Sequence, residues 1–137
     1  MNRILIVEDD RDIAELVQYN LKADGWDVTL VSDGRPALCE LQKGGYGLVV
    51  LDLMLPTVSG LEICKAVRCN PAQEHIPILV ITARGEEAMR SLAFAMGASD
   101  YLAKPFSPRD LITRVRTLLQ GPEPPQPAAA AGSSSAM

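Results

Sequence analysis

The chain alternates short, continuous apolar runs with segments whose apolar residues recur at helical spacing. The runs predict five strands, at residues 3–7, 27–31, 48–52, 77–82 and 99–102. The spaced segments predict five helices, at about residues 13–21, 36–41, 59–68, 86–96 and 107–120. Strict alternation with apolar strands favours a parallel sheet covered on both faces, and five units are too few for an eight-stranded barrel. The predicted fold is an open, doubly wound α/β sheet.

Local sequence signals predict how three of the helices begin. Asp12 and Glu15 are spaced like a cap pair at the start of the first helix. Ser59 and Glu62 have the spacing of a capping box at the third helix. Ser107 followed by a proline predicts an N-cap and a first-turn proline for the last helix.

Polar residues follow four of the predicted strands at their carboxyl ends. They are the acidic run 8–10, Asp52, Thr82 and Lys104. The carboxyl ends of neighbouring parallel strands lie along one edge of the sheet, so these side chains are expected to meet in one crevice. Acids, a hydroxyl and an ammonium together suit a divalent cation and a phosphoryl group.

Glu8, Asp9 and Asp52 are the candidate metal ligands, because Mg²⁺ prefers carboxylate oxygens and retains several waters. For Glu8 and Asp9 the alternative is an acid-rich helix N-terminus. Asp52 follows four apolar residues, and an unpaired carboxylate inside a buried strand would cost several kcal/mol, so it is expected at the sheet edge. There it can act as a nucleophile toward phosphorus, the alternative being a turn aspartate.

Thr82 and Lys104 are the candidate groups for binding phosphoryl oxygens. The Thr82 hydroxyl can donate a hydrogen bond, and Lys104 supplies a positive charge. The alternatives are an ordinary β-branched strand residue and an exposed lysine. The sequence leaves open whether the bond from Lys104 to Pro105 is cis or trans. His75 lies in a predicted loop and is interpreted as solvated.

Composition limits the function further. A length of 137 residues with 47% hydrophobic residues fits one domain, predicted at residues 1–120. Residues 121–137 read GPEPPQPAAAAGSSSAM and are interpreted as a flexible linker or tail. A net charge of -4 argues against nucleic-acid binding through this chain. No apolar run is long enough to span a bilayer, and acids interrupt the first one, so a cytoplasmic protein with no membrane partner is expected.

Four segments resemble the receiver domains of two-component response regulators, in order and spacing. They are ILIVEDD at 4–10, LVVLDLMLPTVSG at 48–60, ILVITAR at 78–84 and GASDYLAKPFSP at 97–108. The resemblance covers about residues 2–120 and is strongest to the OmpR/PhoB group of DNA-binding regulators. It implies a flavodoxin-like sheet with strand order 2-1-3-4-5, an order for which a receiver is itself a known example.

The resemblance also implies a role for each site residue. Asp52 would accept a phosphoryl group from a phosphohistidine of a sensor histidine kinase. Glu8 and Asp9 match the acidic pair that holds Mg²⁺, for which Mn²⁺ can substitute. Met54 matches the position that donates its main-chain carbonyl to the metal, and Lys104 matches the lysine that pairs with the phosphate.

The remaining implied residues concern switching and assembly. Thr82 matches the switch hydroxyl, Tyr101 the aromatic that turns inward with it, and Pro105 the family's cis proline. In the OmpR/PhoB group the fourth helix, fifth strand and fifth helix form a dimer face held by ion pairs. Charged residues stand at four such positions here, with a solvated face as the alternative: Arg90, Asp100, Asp110 and Arg114.

The expected function is therefore a phosphoacceptor that assists its own phosphotransfer and dephosphorylation, rather than an enzyme. Its phosphorylation is expected to control dimerisation or an output such as transcription, with any DNA contact made outside this chain. One alternative is a receiver-like module that works without phosphorylation. Another is an aspartyl-phosphate phosphatase of the haloacid dehalogenase type, which requires a second aspartate where Met54 stands. A nucleotide-binding protein is disfavoured because no glycine-rich loop follows the first strand.

Overall fold

The computed structural model describes residues 3–120, in which strands and helices alternate throughout. The strands are β1 (Arg3–Val7), β2 (Asp27–Val31), β3 (Leu48–Leu51), β4 (Ile78–Thr82) and β5 (Asp100–Ala103). The helices are α1 (Arg11–Ala23), α2 (Gly34–Lys43), α3 (Gly60–Cys69), α4 (Glu87–Ala95) and α5 (Pro108–Gln120). All ten predicted elements are present with small shifts of their ends. The predicted tail at 121–137 lies outside the described residues.

The five strands form one parallel sheet in the order β2-β1-β3-β4-β5, which confirms the expected fold. From β1 the chain passes to β2 on one side and then to β3 on the other, so a crevice opens beyond the carboxyl ends of β1 and β3. Val7 pairs with Leu51 in the register of these two strands. The next residue, Asp52, donates its main-chain N–H to the Val7 carbonyl at 3.0 Å. Residues 8 and 52 are thereby neighbours at the sheet edge.

A hydrophobic core lies on each face of the sheet. Alternate residues of β1 supply both cores: Leu5 and Val7 pack in the cluster that includes residues of α2, α3 and α4, whereas Ile4 and Ile6 pack with residues of α1 and α5. Because both faces are covered, the central strands read as unbroken apolar runs rather than alternating ones. Burying each such side chain contributes about 1.5–3 kcal/mol.

The helix starts correct one prediction and confirm two. Helix α1 begins at Arg11, so Asp10 is its N-cap, and Asp10 Oδ1 accepts hydrogen bonds from the main-chain N–H groups of residues 12 and 13 at 3.0 and 3.3 Å. The predicted cap pair of Asp12 and Glu15 is therefore wrong, because Asp12 already lies inside the first turn. The capping box at α3 is present, and the Ser107 hydroxyl caps α5 as predicted.

The helices differ in how deeply they are embedded. Helix α4 is the shallowest, because Ala93 is its only buried residue, whereas α3 buries four. The longest helices, α1 and α5, have 13 residues each. Within residues 3–120 no helix has both the length and the hydropathy that crossing a bilayer requires.

Candidate functional site

Three carboxylates meet at the carboxyl edge of the sheet. One oxygen from each of Glu8, Asp9 and Asp52 lies within 4.8 Å of the others. Glu8 and Asp52 are buried, while Asp9 is exposed, so the cluster opens to solvent on one side. Asp10, the third residue of the acidic run, caps α1 instead. The sequence-predicted metal ligands are thus brought together on the elements that follow β1 and β3.

Lys104 reaches the same cluster from the end of β5. Its Nζ lies 2.8 Å from Glu8 Oε1 and donates a hydrogen bond to Asp52 Oδ2 at 3.1 Å. Burial alone would lower the pKa of Lys104, but the contacts with the nearby carboxylates of Glu8 and Asp52 outweigh it and raise the pKa. The cluster therefore contains one ammonium and three carboxylates, which leaves an excess of negative charge when all are ionised.

Glu8 is the least satisfied member of the cluster. Its Oε2 accepts a hydrogen bond from the main-chain N–H of Asp10 at 3.1 Å. Its buried Oε1 has no hydrogen bond with any described residue, although the Lys104 ammonium lies within ion-pair distance. Burial, with a smaller contribution from the charge of Asp52, raises the pKa of Glu8 to about 7 despite the Lys104 contact. A bound divalent cation would give this oxygen a further partner, so the residues fit a divalent metal.

The Asp52 carboxylate is held by a partner on each oxygen. Oδ1 accepts a hydrogen bond from the main-chain N–H of Met54 at 3.1 Å, and Oδ2 accepts the one from Lys104. Gly60, at the start of α3, fixes the backbone behind it, because a Cβ there would lie 2.4 Å from the Asp52 carbonyl oxygen. Only glycine lets α3 approach this closely. The nucleophile candidate is thus oriented before any ligand arrives.

Thr82 and Tyr101 are linked through the main chain of Arg84. Thr82 ends β4 fully buried, and its Oγ1 accepts a hydrogen bond from the Arg84 N–H at 3.2 Å. The buried Tyr101 hydroxyl donates to the Arg84 carbonyl. Sequence reasoning missed Arg84 because it acts through its main chain, which leaves no signature in side-chain patterns. The two predicted switch residues therefore share one connecting residue.

The remaining predicted site residues are placed as follows. The Lys104–Pro105 bond is cis, and the Lys104 N–H donates to the Thr82 carbonyl at 2.8 Å. This answers the question that the sequence left open. His75, interpreted as solvated, is exposed in the segment between α3 and β4.

The four charged residues expected on a dimer face make their contacts within this chain. Arg114 pairs with Asp100 at 2.8 Å and with Asp110 at 3.0 Å. The Arg90 guanidinium stacks on two aromatic rings, at 5.4 Å from the Phe94 centroid and 5.9 Å from that of Tyr101. Pairing with a second copy would require these contacts to be exchanged.

The sequence matches known proteins over most of its length. The family model "Response regulator receiver domain" matches residues 4–116. The phosphate regulon transcriptional regulatory protein PhoB of Rhizobium meliloti (strain 1021) is 43% identical over 122 residues, covering 89% of this chain and 54% of the relative. The alkaline phosphatase synthesis transcriptional regulatory protein PhoP of Bacillus subtilis (strain 168) is 43% identical over 121 residues, covering 88% and 50%. Both are regulators of the OmpR/PhoB group. The chain spans about half the length of these relatives.

Solved structures agree with this match. A putative response regulator from Chloroflexus aurantiacus J-10-fl is similar with a TM-score of 0.83 at 37% identity, covering 87% of this chain and 98% of that one. The receiver domain of sensor histidine kinase PA1611 from Pseudomonas aeruginosa PAO1, with a magnesium ion coordinated in its active-site cleft, has a TM-score of 0.81 at 28% identity, covering 87% and 98%. The Mn²⁺-bound response regulator Rcp1 has a TM-score of 0.76 at 28% identity, covering 91% and 99%. With the family model matching residues 4–116, this chain belongs to the response regulator receiver domain family.

Proposed function

We propose that Asp52 accepts a phosphoryl group from a sensor histidine kinase in a Mg²⁺-dependent reaction. The observation that carries the proposal is the buried Asp52 carboxylate, which accepts a hydrogen bond from the Lys104 ammonium and clusters with two further carboxylates at an open sheet edge. As a member of its family the chain is a phosphoacceptor signalling domain rather than a classical enzyme.

Glu8, Asp9 and Asp52, with the main-chain carbonyl of Met54, would hold the metal. The buried Oε1 of Glu8 supports this assignment, because the Lys104 ion pair is its one interaction among the described residues and its lone pairs can also bind a metal. Mg²⁺ supplies charge that offsets the repulsion between the attacking carboxylate and the phosphoryl oxygens, and Mn²⁺ can take its place.

The chain's own residues divide the transfer between them. An Asp52 oxygen attacks phosphorus, the bond from phosphorus to the donor imidazole nitrogen breaks, and that nitrogen keeps the electron pair. Lys104 then pairs with a phosphoryl oxygen, for which its ammonium already lies 3.1 Å from Asp52 Oδ2. The product is an acyl phosphate on Asp52, so the domain ends the transfer modified.

The acyl phosphate would act as a switch. A phosphoryl group brings nearly two negative charges next to the Thr82 hydroxyl, which can donate to it. Movement of Thr82 would reach Tyr101 and α4 through the shared hydrogen bonds of Arg84. The response we propose is dimerisation through α4, β5 and α5, in which Arg90, Asp100, Asp110 and Arg114 pair with a second copy.

The proposed output, control of transcription, rests on the similarity to the two relatives. Both curated relatives are transcriptional regulatory proteins about twice as long as the matched segment. Control of transcription would then act through a domain outside this chain, and nucleic acid would not contact residues 3–120. The net charge of -4 is consistent with that division.

The test is incubation with acetyl phosphate, with and without Mg²⁺, followed by intact mass measurement. The wild type should gain one phosphoryl group only with Mg²⁺, Asp52→Asn should gain none, and the exposed control Asp27→Asn should behave as wild type. A wild type that gains no mass under any condition would favour the module that works without phosphorylation. Phosphate release over many turnovers with no phosphorylated protein accumulating would favour the phosphatase alternative.

A further inference from the structure

Arg68, in the last turn of α3, forms an unusual cluster at the amino end of the sheet, opposite Asp52. Its Nε donates to the Gly97 carbonyl at 2.9 Å. Its Nη1 donates to the carbonyls of Glu74 and Ile76 at 2.8 and 2.7 Å. Its Nη2 donates to the Ser99 hydroxyl at 3.2 Å. One guanidinium thus joins α3, the segment before β4 and the turn before β5.

All four acceptors around Arg68 are neutral, and among residues 3–120 no carboxylate forms an ion pair with it. Burial lowers the pKa of Arg68, yet a guanidinium remains charged in proteins. Its planar fork of five donors suits several acceptors that converge from different segments, which a lysine ammonium does not match. The arrangement depends on geometry rather than on charge pairing.

The turn between α4 and β5 is built around this guanidinium. Gly97 has a φ of +114°, and a Cβ there would lie 2.4 Å from the Arg68 Cγ. The Ser99 hydroxyl, which accepts from Arg68, also accepts from the Ile78 N–H at 3.0 Å, and the Ser99 N–H donates to the Ile78 carbonyl at 2.8 Å. The carboxyl end of α4 is therefore tied to α3 and to the start of β4.

The amino end of α4 is held differently. Its N-cap, Glu86, makes no capping hydrogen bond with its side chain. The segment before it connects to the sheet through Arg84, whose N–H and carbonyl bond to Thr82 and Tyr101, the two residues proposed to move. With Ala93 as its only buried residue, α4 has one fixed end and one end attached to the switch.

We infer that Arg68 is a positioning residue that fixes the carboxyl end of α4, so that phosphorylation turns the helix about Gly97 instead of displacing it as a whole. The inference rests on the proposed function for the stimulus. The anchor itself is a property of the unmodified protein, which allows the two to be tested separately.

The test is residue-resolved amide hydrogen exchange with and without Mg²⁺ and fluoroberyllate, a phosphoryl mimic. Two amides report on the two ends: Arg90, which donates to the Glu86 carbonyl, and Ala98, which donates to the Ala93 carbonyl. In the wild type the mimic should change exchange about tenfold at Arg90 and less than about twofold at Ala98. In Arg68→Met, which keeps the apolar stem, Ala98 should respond as strongly as Arg90.

The controls distinguish a local effect of Arg68 on the carboxyl end of α4 from a general loss of stability. Lys65→Met changes an exposed residue of the same helix and should leave both amides as in the wild type. Without the mimic, Arg68→Met should already accelerate exchange at Ala98 about tenfold while Arg90 changes little. Arg68→Lys should recover only part of the protection, and it replaces Arg68→Met if that variant does not fold.

Two results would overturn the inference: equal responses at both amides in the wild type, or an Ala98 amide in Arg68→Met and Arg68→Lys that exchanges as in the wild type. Failure of the proposed function is distinguishable from failure of this inference. If the proposed function fails, Asp52 gains no phosphoryl mass. Hydrogen exchange at Ala98 without fluoroberyllate, compared between the wild type and Arg68→Met, still tests whether Arg68 fixes the end of α4.

Discussion

Two partly buried cations sit at opposite ends of the same sheet, with different surroundings. At the carboxyl end, Lys104 faces the carboxylates of Glu8 and Asp52. At the amino end, Arg68 faces three carbonyls and one hydroxyl. The first environment carries more negative charge than its lysine neutralises, whereas the second satisfies its guanidinium with fixed dipoles.

This difference separates a site whose energy changes when a charged ligand binds from a site that only stabilises the fold. The carboxyl end changes its energy when a proton, a cation or a phosphoryl group arrives, since each alters an unbalanced set of charges. Among residues 3–120 no carboxylate forms an ion pair with Arg68, so such a ligand has no charge partner of this arginine to neutralise. The two ends should therefore differ in how their stability depends on pH and metal.

Removing the amino-end cation should have the largest effect on stability. Arg68→Met leaves the carbonyls of residues 74, 76 and 97 without their donors, which should lower the free energy of unfolding by about 3 kcal/mol. Urea unfolding monitored by Trp26 fluorescence measures it. Lys65→Met should stay within about 0.5 kcal/mol of the wild type. A loss that varies strongly with pH or Mg²⁺ would contradict the comparison.

The contribution of the carboxyl end of the sheet to the free energy of unfolding should depend on pH. The pKa of Glu8, raised to about 7 from the ordinary 4.5, means that the folded protein binds this proton more tightly than the unfolded chain does. The contribution of Glu8 to stability is therefore fully present below about pH 4.5 and is lost as pH rises to about 7. The loss should be on the order of a few kcal/mol for the metal-free protein.

Glu8→Gln isolates this contribution, because all other titrating groups remain. The stability difference between the wild type and Glu8→Gln should change through the window from about pH 4.5 to 7 and be constant outside it. Saturating Mg²⁺ should restore the stability of the wild type at pH 8, since bound metal compensates the ionised carboxylate. A difference that is flat with pH would show that Glu8 titrates normally.

The sequence predicts the carboxyl end of the sheet better than the amino end, because the first is built from side chains and the second mainly from main-chain carbonyls. Glu8, Asp52, Thr82 and Lys104 carry polar side chains at the ends of apolar strands, so their residue types and positions predicted one crevice. The partners of Arg68 are mainly main-chain carbonyls, whose positions depend on how loops close. No residue pattern encodes them. The N-cap of α1 was also not predictable from the sequence. Several acids near the start of the helix could cap it, and only the position of the first turn shows that Asp10 does.

Removing the carboxyl-end cation should strengthen metal binding. In Lys104→Met no ammonium competes for the oxygens of Glu8 and Asp52, so the Kd for Mg²⁺ should fall about tenfold at pH 8, or about 1.4 kcal/mol. Titration calorimetry measures it. Arg68→Met should bind Mg²⁺ as the wild type does, because its guanidinium is at the far end of the sheet. Weaker Mg²⁺ binding by Lys104→Met would mean that the lysine organises the carboxylates more than it competes with a metal.

The smallest effect is expected where a cation and a carboxylate meet near the surface. Arg114 pairs with Asp110 at 3.0 Å on α5, but both side chains are partly exposed, so solvent and salt screen the attraction. Asp110→Asn should lower the free energy of unfolding by about 0.5 kcal/mol, and the loss should shrink in high salt. Urea unfolding at low and high ionic strength measures both values. A loss as large as that of Arg68→Met would show that formal charge pairing, rather than burial and convergent geometry, decides how strongly a cation holds this fold.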